Sequence, residues 1–369
     1  MKIYHILQGN VLHLTPSIIK GLILCKNKIS QDENIRHIFC VCMYGNQMLY
    51  DNVDKNPYPL LFNSLEYTDY ILLKSRKSFF MTLFNIDNKD KIIFHSNPDS
   101  FDYFIVNSLF ILFKHKLLKR CSFICWGNDY QVPKGGFKYN VYKAILSKAF
   151  NSYKFIATIS LEDSKEVASL FPKANVVYAP YMSSARRVLR HKIINSDGLV
   201  HVMVSHSGWK HNNHLKTFNL LRKYSGKIKV VCPLCYGDSD YIKDVVDAGS
   251  KMFGKDFSYF SDLMSLDNYR KFLQTIDVYV TSAENQTGLG AIFFSMESGT
   301  KVYITGNLYK SLLMQDFIVF NADQIKNMSF DDFVKPINHF EANFNVENYN
   351  RLKFEGNEAL PIWREIFEY

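Results

Sequence analysis

Between Ile111 and Lys154 the sequence carries nine lysines and arginines and a single acid, Asp129. That acid closes the run "FICWGND", where apolar residues give way to Trp126, Gly127 and Asn128. A carboxylate at the end of a buried strand can take a proton from a hydroxyl, the work of a general base. A helix cap, or an ion pair with Lys134 or Lys138, would explain the same residue structurally. His5, Gly9, Asn10, His13, His95 and Asn97 also fall at or just beyond the ends of apolar runs, with His13 the rival base.

Two glycine turns suggest a second kind of chemistry. In "VSHSGWKHNNHL" an apolar run ends in Ser207-Gly208 and a helix follows within a few residues. Backbone amides and a helix N-terminus suit a diphosphate, and Lys210 and His214 lie at the same end. In "TSAENQTGLGAIFFSMESG", Gly288 and Gly290 precede an apolar helix and allow a ligand close to the backbone. Thr287 and Gln286 can hydrogen-bond a phosphate or sugar hydroxyls, and Glu284 can accept from ribose. Each turn alone is also an ordinary connection. Asp238-Ser239-Asp240 matches an Asp-x-Asp metal pattern, but it stands before a helix, where such residues act as N-caps. No metal is expected, so helix ends and cations must neutralise a departing diphosphate.

These residues need a scaffold that brings strand ends together. "MKIYHILQGN" reads as a strand, Thr15-Pro16 starts a helix, and further apolar runs follow at "RHIFCVCMYG", "YTDYILLKS", "DKIIFHSN", "CSFICWGN" and "KFIATIS". Strand and helix alternating in this way imply an α/β fold with a mostly parallel sheet covered on both faces. The pattern begins again at "LVHVMVSHSG". Two Rossmann-like, doubly wound domains facing each other across a cleft are therefore expected. The first spans 1–180, a linker 181–198 and the second 199–345, with a terminal helix in 346–369 packing back on the first domain. Ligands of such sheets bind beyond the carboxyl ends of the strands. GT-B glycosyltransferases share this geometry with sugar-nucleotide epimerases, and fold alone does not choose between them.

With 47% hydrophobic and 21% charged residues the composition is that of a globular protein, and its formal charge of +9 favours anionic partners. Seven cysteines without a signal peptide read as reduced, cytoplasmic thiols. The longest uncharged apolar run, Tyr103 to Phe113, has only eleven residues, too short to span a bilayer. The lysine-rich segment behind it suits an anionic membrane surface, or equally a solvated face.

Several motifs keep a common order along nearly the whole chain. They are His5, Gly9 and His13; "FHSNP" at Phe94 to Pro98; Trp126, Gly127, Asn128, Asp129 and Tyr130; Ser207, Gly208, Asn212 and His214; Pro233 and Tyr236; and Gln286, Gly288, Leu289 and Gly290. In this arrangement the chain resembles the TDP-N-acetylfucosamine:lipid II N-acetylfucosaminyltransferases, also filed as 4-alpha-L-fucosyltransferases, of enterobacterial common antigen assembly. It departs from them at Cys235, Trp209, Glu284 and Asn285, where the family carries other residues. The resemblance implies an inverting GT-B enzyme that moves a deoxyamino sugar, such as N-acetylfucosamine, from a TDP- or UDP-sugar. The acceptor would be a glycan on undecaprenyl diphosphate at the cytoplasmic face of the inner membrane. Phe294 stands where retaining relatives often carry a glutamate, in agreement with inversion. The resemblance points to Ser207, Gly208, Asn212, His214, Pro233, Tyr236, Gln286, Gly288, Leu289 and Gly290 for donor contacts, and the turns themselves add Lys210, Glu284 and Thr287. Acceptor contacts would come from Gly9, Asn10, His95, Asn97, Trp126, Gly127, Asn128 and Tyr130, with Asp129 or His13 as base. The nucleotide-sugar is the substrate; no cofactor and no nucleic acid is expected. A soluble epimerase and a non-catalytic glycan-binding protein are the alternatives.

Overall fold

The computed structural model describes residues 1–9, 14–29, 34–44, 57–96, 100–127, 129, 136–283 and 287–368. The chain divides into two compact units, Met1–Ala185 with Leu352–Tyr369, and Arg186–Arg351.

The first unit runs β1 (Lys2–Gln8), α1 (Thr15–Ile29), β2 (Arg36–Cys42), α2 (Pro57–Ser64), β3 (Tyr70–Leu73), α3 (Arg76–Phe84), β4 (Lys91–His95), α4 (Ser100–Phe113), α5 (His115–Leu118), β5 (Cys121–Cys125), α6 (Gly136–Phe150), β6 (Phe155–Thr158), α7 (Leu161–Leu170) and β7 (Val176–Tyr178). All pairings are parallel, in the order β3-β2-β1-β4-β5-β6-β7. Every residue of β4, β5 and β6 is buried, as helices on both faces require of a parallel sheet, which is why these strands read as unbroken apolar runs. Ile6, Cys40, Phe94 and Phe123 pack on one face with Tyr103, Phe110 and Phe150. Ile3, Leu7, Phe39 and Ile93 pack on the other with Leu22 and Trp363. The last helix of the chain, Ala359–Glu368, belongs to this second layer, where the Trp363 indole donates to the Pro180 carbonyl at 2.9 Å.

The second unit repeats the plan with β8 (Val200–Val204), α8 (His214–Leu221), β9 (Ile228–Pro233), α9 (Ser239–Phe253), β10 (Phe257–Phe260), α10 (Leu266–Gln274), β11 (Val278–Val280), α11 (Leu289–Glu297), β12 (Lys301–Ile304), α12 (Gly306–Met314) and β13 (Phe320–Asn321), followed by α13 (Phe330–Val334) and α14 (His339–Tyr349). Its six parallel strands lie in the order β10-β9-β8-β11-β12-β13.

The basic stretch before β8 is fastened to this unit chiefly by one buried acid, with Arg186 also pairing with Glu347 at 2.6 Å on the surface. Glu297 at the end of α11 is 2% exposed. It meets Arg187 at 3.2 Å, Arg190 at 2.5 Å and Arg270 at 3.6 Å. The Arg187 guanidinium also lies 4.0 Å from the centre of the Phe294 ring and 4.2 Å from that of Tyr349. Removing one member of a buried ionic group strands the others. Glu297→Ala should therefore lower the unfolding free energy by about 3–5 kcal/mol, read from urea unfolding of the full chain.

Candidate functional site

In the first sheet the strand order reverses between β1 and β4, since the chain builds outward to β3 on one side and from β4 to β7 on the other. Such a switch point leaves a crevice beyond the carboxyl ends of the two strands. Gln8 and Gly9 stand at the end of β1, and Ser96 follows β4. Gly9 is held closely: its amide donates to the Cys42 carbonyl at 2.8 Å, and a Cβ there would stand 2.5 Å from that same oxygen. Ser96 takes a φ of 64°, uncommon outside glycine, and accepts from Gln8 Nε2 at 3.1 Å.

Beside them, β5 ends in the turn that carries the isolated acid. Gly127 makes the turn with a φ of 99°, which spares a side chain the left-handed region. The Trp126 amide donates to Asp129 Oδ2 at 2.6 Å, and the Ser96 hydroxyl is its second partner. Burial pushes the Asp129 carboxyl above its usual value, against the pull of those two hydrogen bonds. No described lysine or arginine forms an ion pair with it. A carboxylate so held binds a proton more readily than one in water.

His95, expected at the acceptor, is completely enclosed and has both ring nitrogens engaged, with His5 Nδ1 at 2.9 Å and the Tyr181 hydroxyl at 2.7 Å. It stands behind the strand ends and reaches them through Tyr181, which also accepts from Trp126 Nε1 at 2.9 Å.

Tyr181, His37 and Asp163 were not singled out by the sequence reading. Asp163 sits in the first turn of α7, 1% exposed, with neither carboxylate oxygen hydrogen-bonded. "SLEDSKE" looks like ordinary helix-start acidity, and nothing local in it reveals burial.

The second sheet has its own switch point, between β8 and β11, and both glycine turns lie there. After β8, Asn212 is buried and braces the first turn, donating to the Ser207 carbonyl at 2.7 Å and hydroxyl at 2.9 Å. The Tyr236 hydroxyl bonds Ser207 as well, and burial pushes it up to about 12. Gly208 donates its amide to the Tyr236 carbonyl at 2.7 Å. Pro233 ends β9 behind this turn. After β11, Gly288 adopts a φ of 65° at the start of α11, and a Cβ there would stand 2.5 Å from His206 Nδ1. Leu289 opens the helix, and a Cβ on Gly290 would meet only open space. The Thr287 hydroxyl lies 3.4 Å from both His206 Nε2 and His211 Nε2. These two imidazoles are further residues the sequence reading passed over, although both stand in the run that contains Ser207 and Gly208.

Two residues near this turn are held in ways the sequence does not show. Lys210 is paired with Asp238 at 3.3 Å, and Asp238 caps α9 by accepting from the Tyr241 amide at 3.0 Å. His214 is fully enclosed, held down to about 4 by burial, with neither ring nitrogen hydrogen-bonded, so it faces the core and not the helix end. Asn10, His13, Asn97, Asn128, Tyr130, Glu284 and Gln286 lie outside the described residues.

Asp163 supplies a pH test of this end of the first sheet. Burial, with Glu166 and Glu162 adding to it, pushes its carboxyl up to about 7. A carboxyl raised on folding favours the fold while protonated and costs stability as pH climbs from its unfolded value toward 7. Asp163→Asn should therefore gain stability over the native chain between pH 4 and pH 8, by up to about 4 kcal/mol. Urea unfolding at the two pH values checks this, and an equal difference at both would contradict it.

Solved structures share the fold. Over 100% of each chain, the protein matches sucrose-phosphate synthase from Thermosynechococcus elongatus at 8% identity with a TM-score of 0.63, and Anabaena HepE in complex with UDP and glucose at 9% and 0.62. A glycosyltransferase from Rickettsia africae matches at 13% identity and 0.58, covering 100% of this chain and 97% of its own. The two units thus have the GT-B fold. The family model described as 4-alpha-L-fucosyltransferase, glycosyl transferase group 56, matches residues 3–344. With two parallel sheets, a switch point in each and this match along nearly its whole length, the chain belongs to the 4-alpha-L-fucosyltransferase family, and it is a sugar transferase.

Proposed function

We propose that the protein is an inverting, metal-independent transferase that moves a deoxyamino sugar, such as N-acetylfucosamine, from a nucleoside diphosphate to a lipid-linked glycan in bacterial surface polysaccharide assembly. The observation that carries this reading is the Asp129 carboxylate, desolvated and unpaired by any described cation, beyond β5 in a chain of this family. The acceptor hydroxyl attacks the anomeric carbon on the face opposite the nucleotide. Its proton passes to Asp129, the bond from that carbon to the diphosphate oxygen breaks, and the nucleoside diphosphate leaves. One carboxylate suffices for such a displacement.

The first unit takes the acceptor, through the neighbourhood of Gly9, Trp126 and Gly127. The second takes the donor, with its diphosphate at the amides that begin α11 and at the Ser207-Gly208 turn, where fixed dipoles stabilise the charge that develops on departure. Thr287, His206, His211 and Lys210 surround that position. HepE and the Escherichia coli trehalose protein of the same fold were solved with UDP-glucose and UDP-2-fluoro glucose, which supports a nucleotide-sugar here.

No helix among the described residues is long and apolar enough to cross a membrane. Support for action at the cytoplasmic membrane face comes from the end of α4, where Leu112 and Phe113 are 69% and 74% exposed next to Lys114 and Lys116. An apolar edge flanked by cations suits an anionic lipid surface.

A panel of TDP- and UDP-sugars tests the whole reading, with the lipid-linked acceptor presented in anionic or neutral vesicles. Sugar should transfer only when acceptor is present, and faster from anionic vesicles. Epimerised donor without acceptor, or no turnover of any donor, would contradict it.

A further inference from the structure

Three imidazoles from three adjacent strands line up on one face of the first sheet, in the order His37 of β2, His5 of β1 and His95 of β4. Their rings stack, with centroids 5.1 Å apart for His5 and His37 and 5.2 Å for His5 and His95. His5 Nε2 lies 2.9 Å from His37 Nδ1, His5 Nδ1 2.9 Å from His95 Nε2, and His95 Nδ1 2.7 Å from the Tyr181 hydroxyl. The Trp126 indole N–H donates to that same hydroxyl at 2.9 Å.

Donor counting gives the line a direction. An indole N–H only donates, so the Tyr181 oxygen accepts there and has one proton to give, to His95 Nδ1. His95 then carries its proton on Nε2 and donates to His5 Nδ1, and His5 does the same to His37 Nδ1. Only His37 Nε2–H is left without a partner, as observed. The opposite direction would strand two groups, the Tyr181 proton and the His37 lone pair. Burying an unpaired polar group is costly, so the first direction is favoured.

The line is also neutral. All three rings are enclosed, and burial holds His37 and His95 down to about 3 and His5 well below its ordinary value. The charged groups acting on His37 are Lys26 and Lys91, and both oppose an imidazolium. A proton entering from Tyr181 would create a buried cation with no described carboxylate acting on any of the three rings and no described acceptor at His37 Nε2. Orientation, and not proton transport, is what such a line can supply.

We propose that Tyr181 is a positioning residue for the transferase base: the histidine line fixes its hydroxyl, the hydroxyl holds the Trp126 indole, and the Trp126 amide holds the Asp129 carboxylate. This rests on the reading of Asp129 as the base. Outer partners of this kind change activity through the group they orient, with effects of about 10- to 100-fold.

The full chain with ¹⁵N-labelled histidine gives a readout independent of turnover: His5, His37 and His95 should all appear as neutral Nε2–H tautomers, and any Nδ1–H tautomer among them would overturn the stated direction. Kinetics test the consequence. Tyr181→Phe should lower kcat about 10- to 100-fold, leave the donor KM unchanged and shift the acid limb of the kcat profile. His95→Asn keeps an acceptor at the Nδ1 position and should retain most activity, whereas His95→Leu should resemble Tyr181→Phe even if the tyrosine variant fails to fold. His37→Asn, at the far end, should change kcat little. An unchanged kcat and pH profile in folded Tyr181→Phe and His95→Leu would overturn the inference. So would an equal collapse at all positions including His37 with a large solvent isotope effect, which would mark a proton-conducting line. Full turnover by Asp129→Asn would remove the base reading and this inference with it; full turnover by the Tyr181 and His95 variants alone removes only the inference.

Discussion

The hydrogen bond from the Trp126 amide to the Asp129 carboxylate, 2.6 Å long, is the contact on which the rest of the first unit converges. It sets a carboxylate at the carboxyl edge of a parallel sheet without supplying a counter-ion. Each element around it serves that geometry. The buried β5 delivers the turn, Gly127 bends it, and Ser96, in a left-handed conformation after β4, supplies the second hydrogen bond. Opposing effects decide the outcome: burial raises the proton affinity of the carboxylate, and two donors lower it. Each pKa unit between those effects is worth about 1.4 kcal/mol, so a cation alongside would cancel the gain in basicity.

The second unit solves a different electrostatic problem with the same plan. Its switch point exposes amides, glycines and two imidazoles where the first unit exposes a carboxylate. Lys210, the obvious cation of the turn, is partly committed to Asp238, and burial holds the nearby His211 below its ordinary value, so backbone dipoles are the main positive element fixed in this turn. The arginines just upstream are occupied as well, on Glu297. Net positive charge is therefore a poor guide to where an anion binds in this protein.

Much of this was legible in the sequence, and the limits have physical causes. The parallel sheets were readable because strands buried on both faces become continuous apolar runs, as in Cys121–Cys125. Asp129 drew attention because it is the lone acid of a basic stretch and ends an apolar run; its hydrogen bond from the Trp126 amide was not legible there. The histidine line was not, because it depends on register: His5 lies opposite Phe39 and Ile93, and His37 and His95 two residues away share its face. His95 looked available at a strand end, yet the alternation of side chains turned it inward. The basic stretch before β8 resembled a loose connection because its partner, Glu297, is more than a hundred residues downstream. Asp163 went unnoticed and His214 was expected at the helix end for a related reason, since burial at a helix start is decided by what packs over it.

The most direct test of Asp129 as the base is the pH dependence of the single-turnover rate with saturating donor and acceptor. A base must be deprotonated to act, so the native rate should fall as pH drops through a pKa above the usual carboxylate range. In Asp129→Asn that acid limb should vanish and the plateau should drop by about two to four orders of magnitude. A folded variant that keeps the native plateau, or keeps the same acid limb, would contradict the assignment.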